Sequence, residues 1–296
     1  MSHPVLVTGA PGNVGTPLVE QLLGAGIPVR VAAHSVDSAA RFADAGAEVV
    51  RFDMTDPNTF GAFEGVRRMF LLRPPAIADV DGVIGPVIDA ARSRGVEHIV
   101  FLSIQGAESN RLVPHRAIED YLRRHGPAWT FIRASYFMQN LATTHLADIV
   151  ERDEIFIPAG RRSRTAHVDA RDVAAVATQA LREDGHEGHA YTPTGPRAMT
   201  YDECAAILTR VTGRTIRYVD PAPWTYWRRM SARGMPIGMR AVTLGIYTAA
   251  RFGMAATLTN DVQTLTGSPP IDFADYAAAY RDVWEHAEGG DRLQPL

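Results

Sequence analysis

The sequence predicts an α/β protein: a doubly wound parallel sheet with a smaller, mixed α/β part toward the C-terminus. Three observations carry that reading. The apolar run Val5-Leu6-Val7 breaks at once into the turn Thr8-Gly9-Ala10-Pro11-Gly12-Asn13-Val14-Gly15, which feeds a helical pattern. Short apolar runs then alternate with helical-period segments through about residue 140. The connections between them are short, as expected where parallel strands are covered on both faces.

In the first unit, Leu18, Val19, Leu22 and Leu23 repeat at helical spacing until Gly24 and Gly26 end the helix, and Ile27 to Ala33 reads as the next strand. Gly9 and Gly12 lack a Cβ, so the turn can be tight and its backbone can approach an anion; Gly15 lets the helix lie close on the strand. The free N–H groups of the helix then face a dinucleotide pyrophosphate, and Thr8, Gly9, Ala10, Pro11, Gly12, Asn13, Val14 and Gly15 become the expected cofactor contacts. Further strands are expected at Ala47–Phe52, Arg68–Leu72, Glu97–Leu102 and Trp129–Ile132. Helices are expected at Pro57–Phe63 and at Val80–Ser93, whose Val83, Ile84, Val87, Ile88 and Ala91 share a face.

Ligands of such sheets bind beyond the carboxyl ends of the strands, so the residues there are the candidates. After the second strand, where an acid would hold the ribose of NAD, this chain has His34 and Ser35; with Arg30 and Arg41 they could hold a 2′-phosphate, so NADP(H) is expected over NAD(H), which stays possible. Asp53 and Met54 follow the third strand and suit adenine; Asp53 or Asp56 could equally cap the next helix. Leu72 and Arg73 end the fourth strand, and Arg73 could pair with a phosphate or a substrate anion, or lie fixed on the surface by two prolines. Ser103 ends the fifth, where its hydroxyl would lie near the nicotinamide or a substrate carbonyl.

Composition excludes several classes. A formal charge of −3 gives no reason to expect nucleic acid or a membrane surface as partner. The apolar start ends in the glycine turn and does not read as a signal peptide, so a cytoplasmic protein is expected. One cysteine, Cys204, allows no internal disulfide.

Beyond Asn140 the alternation thins. His167, Asp169 and Asp172 stand close in sequence, but a helix cap for Val173–Leu181 accounts for them and no metal is expected. His186 and His189, among glycines and acids, suggest an exposed loop. Thr200-Tyr201-Asp202-Glu203 is a capping-box pattern opening a helix that Gly213 stops, and Arg217–Val219 reads as a short strand. From Pro223 to Met254 the chain is rich in Trp, Met and Tyr, including Trp224, Tyr226, Trp227 and Tyr247; these suit helix packing, with a few left to form an apolar lid.

Several segments together resemble the NmrA-like, atypical short-chain dehydrogenase/reductase family: Thr8 to Gly15, Leu102-Ser103-Ile104-Gln105-Gly106-Ala107, His115 to Glu119, Phe131 to Asn140, Ala166 to Ala174, Tyr191 to Pro196 and Leu265 to Pro270. The resemblance covers nearly the whole chain and implies a Rossmann-type nucleotide half over 1–140, to whose sheet segments around 164–195 return, with 141–296 forming mainly a substrate-binding lid. It implies no single reaction, because the family holds quinone and iminium reductases as well as redox-sensing regulators. Two departures stand out: Ile104 replaces a second hydroxyl residue, and Arg73 replaces a frequent Thr.

All thirty basic residues are Arg, so the Tyr-x-x-x-Lys pair of ordinary short-chain dehydrogenases has no counterpart. His115 is the leading expected proton donor, on family position and an imidazole pKa near neutrality; pairing with Glu119 one turn on is the structural alternative. Tyr136 is the second, in the segment that in relatives lies beside the nicotinamide. The resulting expectation is a reductase delivering hydride to an electron-poor C=C, C=N or C=O bond of a small apolar or aromatic molecule, acting as monomer or homodimer. A nucleotide-sensing regulator and a cofactor-bound enzyme of non-redox function are the alternatives.

Overall fold

In this computed structural model, which describes residues 3–285, β1 (Val5–Thr8) is buried along its whole length. It hands over to α1 (Gly15–Gly24), which turns Gly15, Leu18, Val19 and Leu22 inward. β2 (Val29–Ala33), α2 (Ala40–Asp44), β3 (Glu48–Arg51), β4 (Arg68–Leu71), α3 (Gly85–Ser93), β5 (His98–Ile104), α4 (Pro114–His125) and β6 (Ala128–Ala134) follow. Residues Pro57–Phe63 form the expected short helix, of 3₁₀ type, with Asp56 as its cap accepting from Asn58 N. The expected helix over Val80–Ser93 is divided: Val80–Ile84 is a π turn, entered where the Asp79 side chain accepts from Gly82 N, and only then does α3 begin.

The later chain adds α5 (Gln139–Ala142), α6 (Leu146–Arg152), β7 (Glu154–Phe156), α7 (Ala170–Arg182), β8 (Ala190–Tyr191), α8 (Tyr201–Thr212) and β9 (Arg217–Val219). It closes with α9 (Pro223–Ala232), α10 (Ile237–Arg251), α11 (Asp261–Thr266), α12 (Phe273–Ala279) and α13 (Arg281–Glu285). Seven strands make one sheet in the order β3-β2-β1-β4-β5-β6-β8, and every pairing in it is parallel. β7 and β9 pair separately, also in parallel.

Strand alternation sorts the core into two layers. Val5 and Val7 face α1 and α7, while Leu6 faces the side covered by α3 and α4, with Ile84, Ile88, Ile118 and Leu122. α7 lies on α1, where Gln21 Nε2 donates to Arg171 O at 3.2 Å and Thr178 Oγ1 to Gln21 Oε1 at 3.2 Å. A third core holds the β7–β9 part together around Ile155, Phe156, Tyr201, Tyr226 and Trp284.

Local rules explain the ends of these elements. Thr200 and Glu203 form the expected capping box on α8, and Gly213 stops it at φ +72°. Asp169 caps α7 by accepting from Arg171 N, while Asp172 holds Ile271 N at 2.8 Å. Fully buried Asp148 on α6 is clasped by Arg229 and Arg233, at 3.0 Å and 2.9 Å, which fastens α9 to α6. His186 departs from expectation: it is buried, with Nδ1 2.8 Å from Tyr191 Oη and its carbonyl accepting from Thr130 Oγ1. Among the described residues no helix is long and apolar enough to cross a membrane, and no three His, Cys, Asp or Glu side chains gather as a metal site.

Candidate active site

The glycine turn sits at the carboxyl end of β1, in the middle of the sheet. Gly9 adopts φ +68°, and Gly12 N closes the turn on Gly9 O at 3.0 Å. A Cβ on Gly15 would lie 2.2 Å from Gly9 O and 2.6 Å from Ala10 Cα, so α1 can start directly beneath the turn only with glycine there. No side chain caps α1. Asn13 Nδ2 is buried without a partner, and Ala10 and Val14 are buried to shape the turn. An uncapped helix start, close main-chain approach and an orphaned amide donor fit the pyrophosphate of a dinucleotide. Thr8 serves differently: its hydroxyl accepts from Leu72 N at 2.8 Å and donates to Phe70 O at 3.1 Å, stitching β1 to β4. Leu72 packs where a Gly9 Cβ would be.

The ribose end differs from the sequence reading in two respects. Arg30 is turned away, held by Glu48 Oε2 at 2.8 Å and by the carbonyls of Ala62 and Glu64. A carboxylate does stand near His34, since Asp53 Oδ2 lies 3.3 Å from His34 Nε2. Hydrogen bonds from the Thr55 hydroxyl and Thr55 N hold the Asp53 carboxyl below the usual range. Arg41 reaches the start of α1: Nη2 donates to Thr16 Oγ1 at 2.8 Å, and no carboxylate among the described residues pairs with it. Ser35 is exposed beside it, whereas Met54 is buried with Phe52 and Phe60.

Arg73, Ser103 and Tyr136 stand at or just beyond the ends of β4, β5 and β6. Ser103, expected near the nicotinamide or a substrate carbonyl, is almost fully buried and donates to Glu119 Oε1 at 2.7 Å. Glu119 is also gripped by Arg133, at 2.7 Å and 3.0 Å, and by Arg123 at 3.0 Å. Burial opposes the charge of Glu119, but the hydrogen bonds from Arg133 and Ser103 outweigh it and hold the carboxyl below its ordinary value.

Glu119 is therefore committed elsewhere, and His115 does not pair with it. His115 leans on Phe101, centroids 6.1 Å apart, with Nδ1 buried and partnerless. Burial, reinforced by the Arg73 guanidinium beside it, lowers the His115 pKa to about 4. The ring is neutral at pH 7 and can donate an N–H hydrogen bond.

Tyr136 is half-buried after β6, its ring set edge-on to His167 at 5.5 Å. Its hydroxyl lies 2.8 Å from Tyr247 Oη, which lies 2.5 Å from His145 Nε2. Burial pushes the Tyr136 phenol well above its usual range, so it stays protonated. His145 carried no signal in the sequence, since its partner is 102 positions away on α10. Tyr247 was visible there only as one aromatic of the Trp- and Met-rich stretch.

The model of the NmrA-like family matches residues 1–263. The chain belongs to the NmrA-like family. Of its relatives, the NAD(P)H azoreductase of Xenophilus azovorans is 32% identical, over 93% of this chain and 97% of its own. The (4-alkanoyl-5-oxo-2,5-dihydrofuran-3-yl)methyl phosphate reductase of Streptomyces griseus is 34% identical, over 96% and 98%. The crystal structure of Citrobacter sp. triphenylmethane reductase complexed with NADP(H) superposes with a TM-score of 0.79 at 28% identity, covering 94% of this chain and 99% of that one. For an NmrA-like protein the seven-stranded parallel sheet and the glycine turn at its centre are the shared frame.

Proposed function

We propose that this protein is an NADPH-dependent reductase of small electron-poor molecules, quinone-, enone-, imine- or azo-like, with an apolar or aromatic body. The observation that carries the reading is the uncapped start of α1 under the glycine turn, with the orphaned Asn13 amide beside it. The relatives named as azo, dye and natural-product reductases support it. The bound nucleotide supplies the hydride.

The chain's own residues do the rest. Asn13 and the turn hold the pyrophosphate, and Arg41, with His34 and Ser35, holds the 2′-phosphate. Met254 and Leu258, exposed on either side of Ala255, give an apolar rim; that segment is tied to the end of β5 by Gln105 Nε2 to Thr257 O at 3.0 Å and to the chain leading into α7 by Ala166 N to Ala255 O at 2.7 Å. Such a rim suits a flat apolar substrate and limits water. Tyr136 Oη holds the proton for the product, and Tyr247 and His145 fix the direction of that hydroxyl.

Parallel titrations with NADPH, NADP⁺, NADH and NAD⁺, followed by reduction assays on a quinone, an enone and an azo dye, test this. NADPH should bind best, and Arg41→Ala should cut the NADPH-over-NADH preference by about tenfold, the worth of one charge-assisted hydrogen bond. Failure of every nucleotide to bind would overturn the reading. The exposed Ile237, Val242 and Ile246 on α10 favour a second reading, a nucleotide-sensing regulator presenting a protein surface. Tighter binding of the oxidised nucleotides, with no reduction of any substrate, would select it.

A further inference from the structure

Arg73 differs in its surroundings from most half-buried arginines of the chain; Arg240 also lacks a carboxylate, but its guanidinium lies over the Trp227 ring. Arg133 is matched by Glu119, Arg68 by Asp184, and Arg229 and Arg233 by Asp148. Among the described residues no carboxylate comes within 4 Å of Arg73. Its Nη1 instead donates to the carbonyls of Pro74 at 2.9 Å, Pro75 at 3.2 Å and Ile77 at 2.8 Å, which fixes the guanidinium, while Nε is buried with no partner. Burial disfavours its charge. Beside it, His115 Nδ1 is likewise buried and unpartnered, and α4, on whose first turn His115 sits, has no side-chain cap at Val113. A held cation with no carboxylate, a neutral imidazole nitrogen with no hydrogen-bond partner and an uncapped helix start together suit an anion that accepts hydrogen bonds.

We infer that Arg73, His115 and the first turn of α4 form a subsite for an anionic substituent of the substrate: a phosphate, sulfonate or carboxylate carried on the reducible molecule. This rests on the reductase reading above. Position separates the subsite from the cofactor's own phosphates. β4 lies between β1 and β5, so Arg73 stands on the substrate side of the glycine turn. The pyrophosphate and 2′-phosphate already have Asn13, the start of α1 and Arg41. His115, neutral, contributes an N–H donor, and Arg73 contributes the charge. The apolar rim then receives the body of a molecule whose other end is charged.

Two non-reducible probes test this without turnover: 1-naphthyl phosphate and 1-naphthol, titrated into the protein loaded with NADP⁺ and followed by calorimetry. The phosphate should bind at least tenfold more tightly than the alcohol. Arg73→Gln should erase that difference while leaving 1-naphthol and NADPH affinities as they were, and Arg73→Lys, which keeps the charge, should retain part of it. Equal binding of the two probes by the unaltered protein would overturn the inference. So would an Arg73→Gln protein that keeps its phosphate preference, or one that loses NADPH affinity instead, which would give Arg73 to the cofactor. Should no nucleotide bind, the reductase reading falls, and the same titration on the bare protein still reads the subsite.

Discussion

Gly15 shows how one missing carbon can position a ligand site. A methyl group there would sit 2.2 Å from a backbone oxygen that cannot move without opening the turn. Gly15→Ala is expected to cost about 1–3 kcal/mol in stability, as overpacking does, and to weaken NADPH binding by more than tenfold. Thermal denaturation and a nucleotide titration measure the two effects, and a variant matching the parent in both would refute the close-approach argument. Tyr136 offers a second test at this scale. Removing its hydroxyl in Tyr136→Phe should lower kcat by about 10²-fold, the lower end for a lost proton donor, with NADPH affinity unchanged. Tyr247→Phe should lower it less, because it only loosens the orientation of that hydroxyl.

Between elements, the strongest clasp is electrostatic. Asp148→Ala takes the buried carboxylate from Arg229 and Arg233, which keep Glu154 and Glu151, and should destabilise the protein by about 1–3 kcal/mol, with faster hydrogen exchange in α9 and no change in the exchange of β1. Uniform exchange rates along the chain would contradict this picture. Elements of this kind were partly legible in the sequence. The strand-turn-helix of β1 and α1, the α8 capping box and its Gly213 stop follow from neighbours a few residues apart, so local patterns reveal them. Periodicity also told which face of α3 is buried. It did not tell where polar groups find partners. Ser103 and Glu119, Arg30 and Glu48, and His145 and Tyr247 are 16, 18 and 102 residues apart, and only the packed sheet brings them together. Site residues whose role depends on the main chain were therefore readable, and those whose role depends on a side-chain partner were not.

Over the whole molecule, buried histidines set the response to acid. Burial lowers His98 to about 4, His145 to about 3 and His167 to about 4. Unfolded, each titrates near 6.5, so between these values the unfolded chain binds more protons and stability rises with pH. It is fully present above about pH 6.5 and is lost as pH falls toward 4, each histidine contributing up to about 1.4 kcal/mol per pH unit in that window. Asp172, which burial raises to about 6, works in the opposite sense and offsets part of the loss. The melting temperature should accordingly drop steeply between pH 6.5 and 4, and scanning calorimetry across that range would expose a flat profile if the histidines were solvated.

The return of the chain to its first sheet also governs when the protein can fold during its own synthesis. The apolar face of α1 is covered by α7, and the outer edge of β6 is closed by β8, reached only at Ala190–Tyr191. A ribosome that has released the glycine turn, α1 and the first six strands has therefore still to deliver the pieces that shield them. Until then the nascent nucleotide half carries an open apolar face and an unpaired strand edge, the features that invite aggregation. The protein is committed to finishing translation through α7 and β8 before its N-terminal half is safe, and holdase chaperones have their natural moment of engagement in that interval.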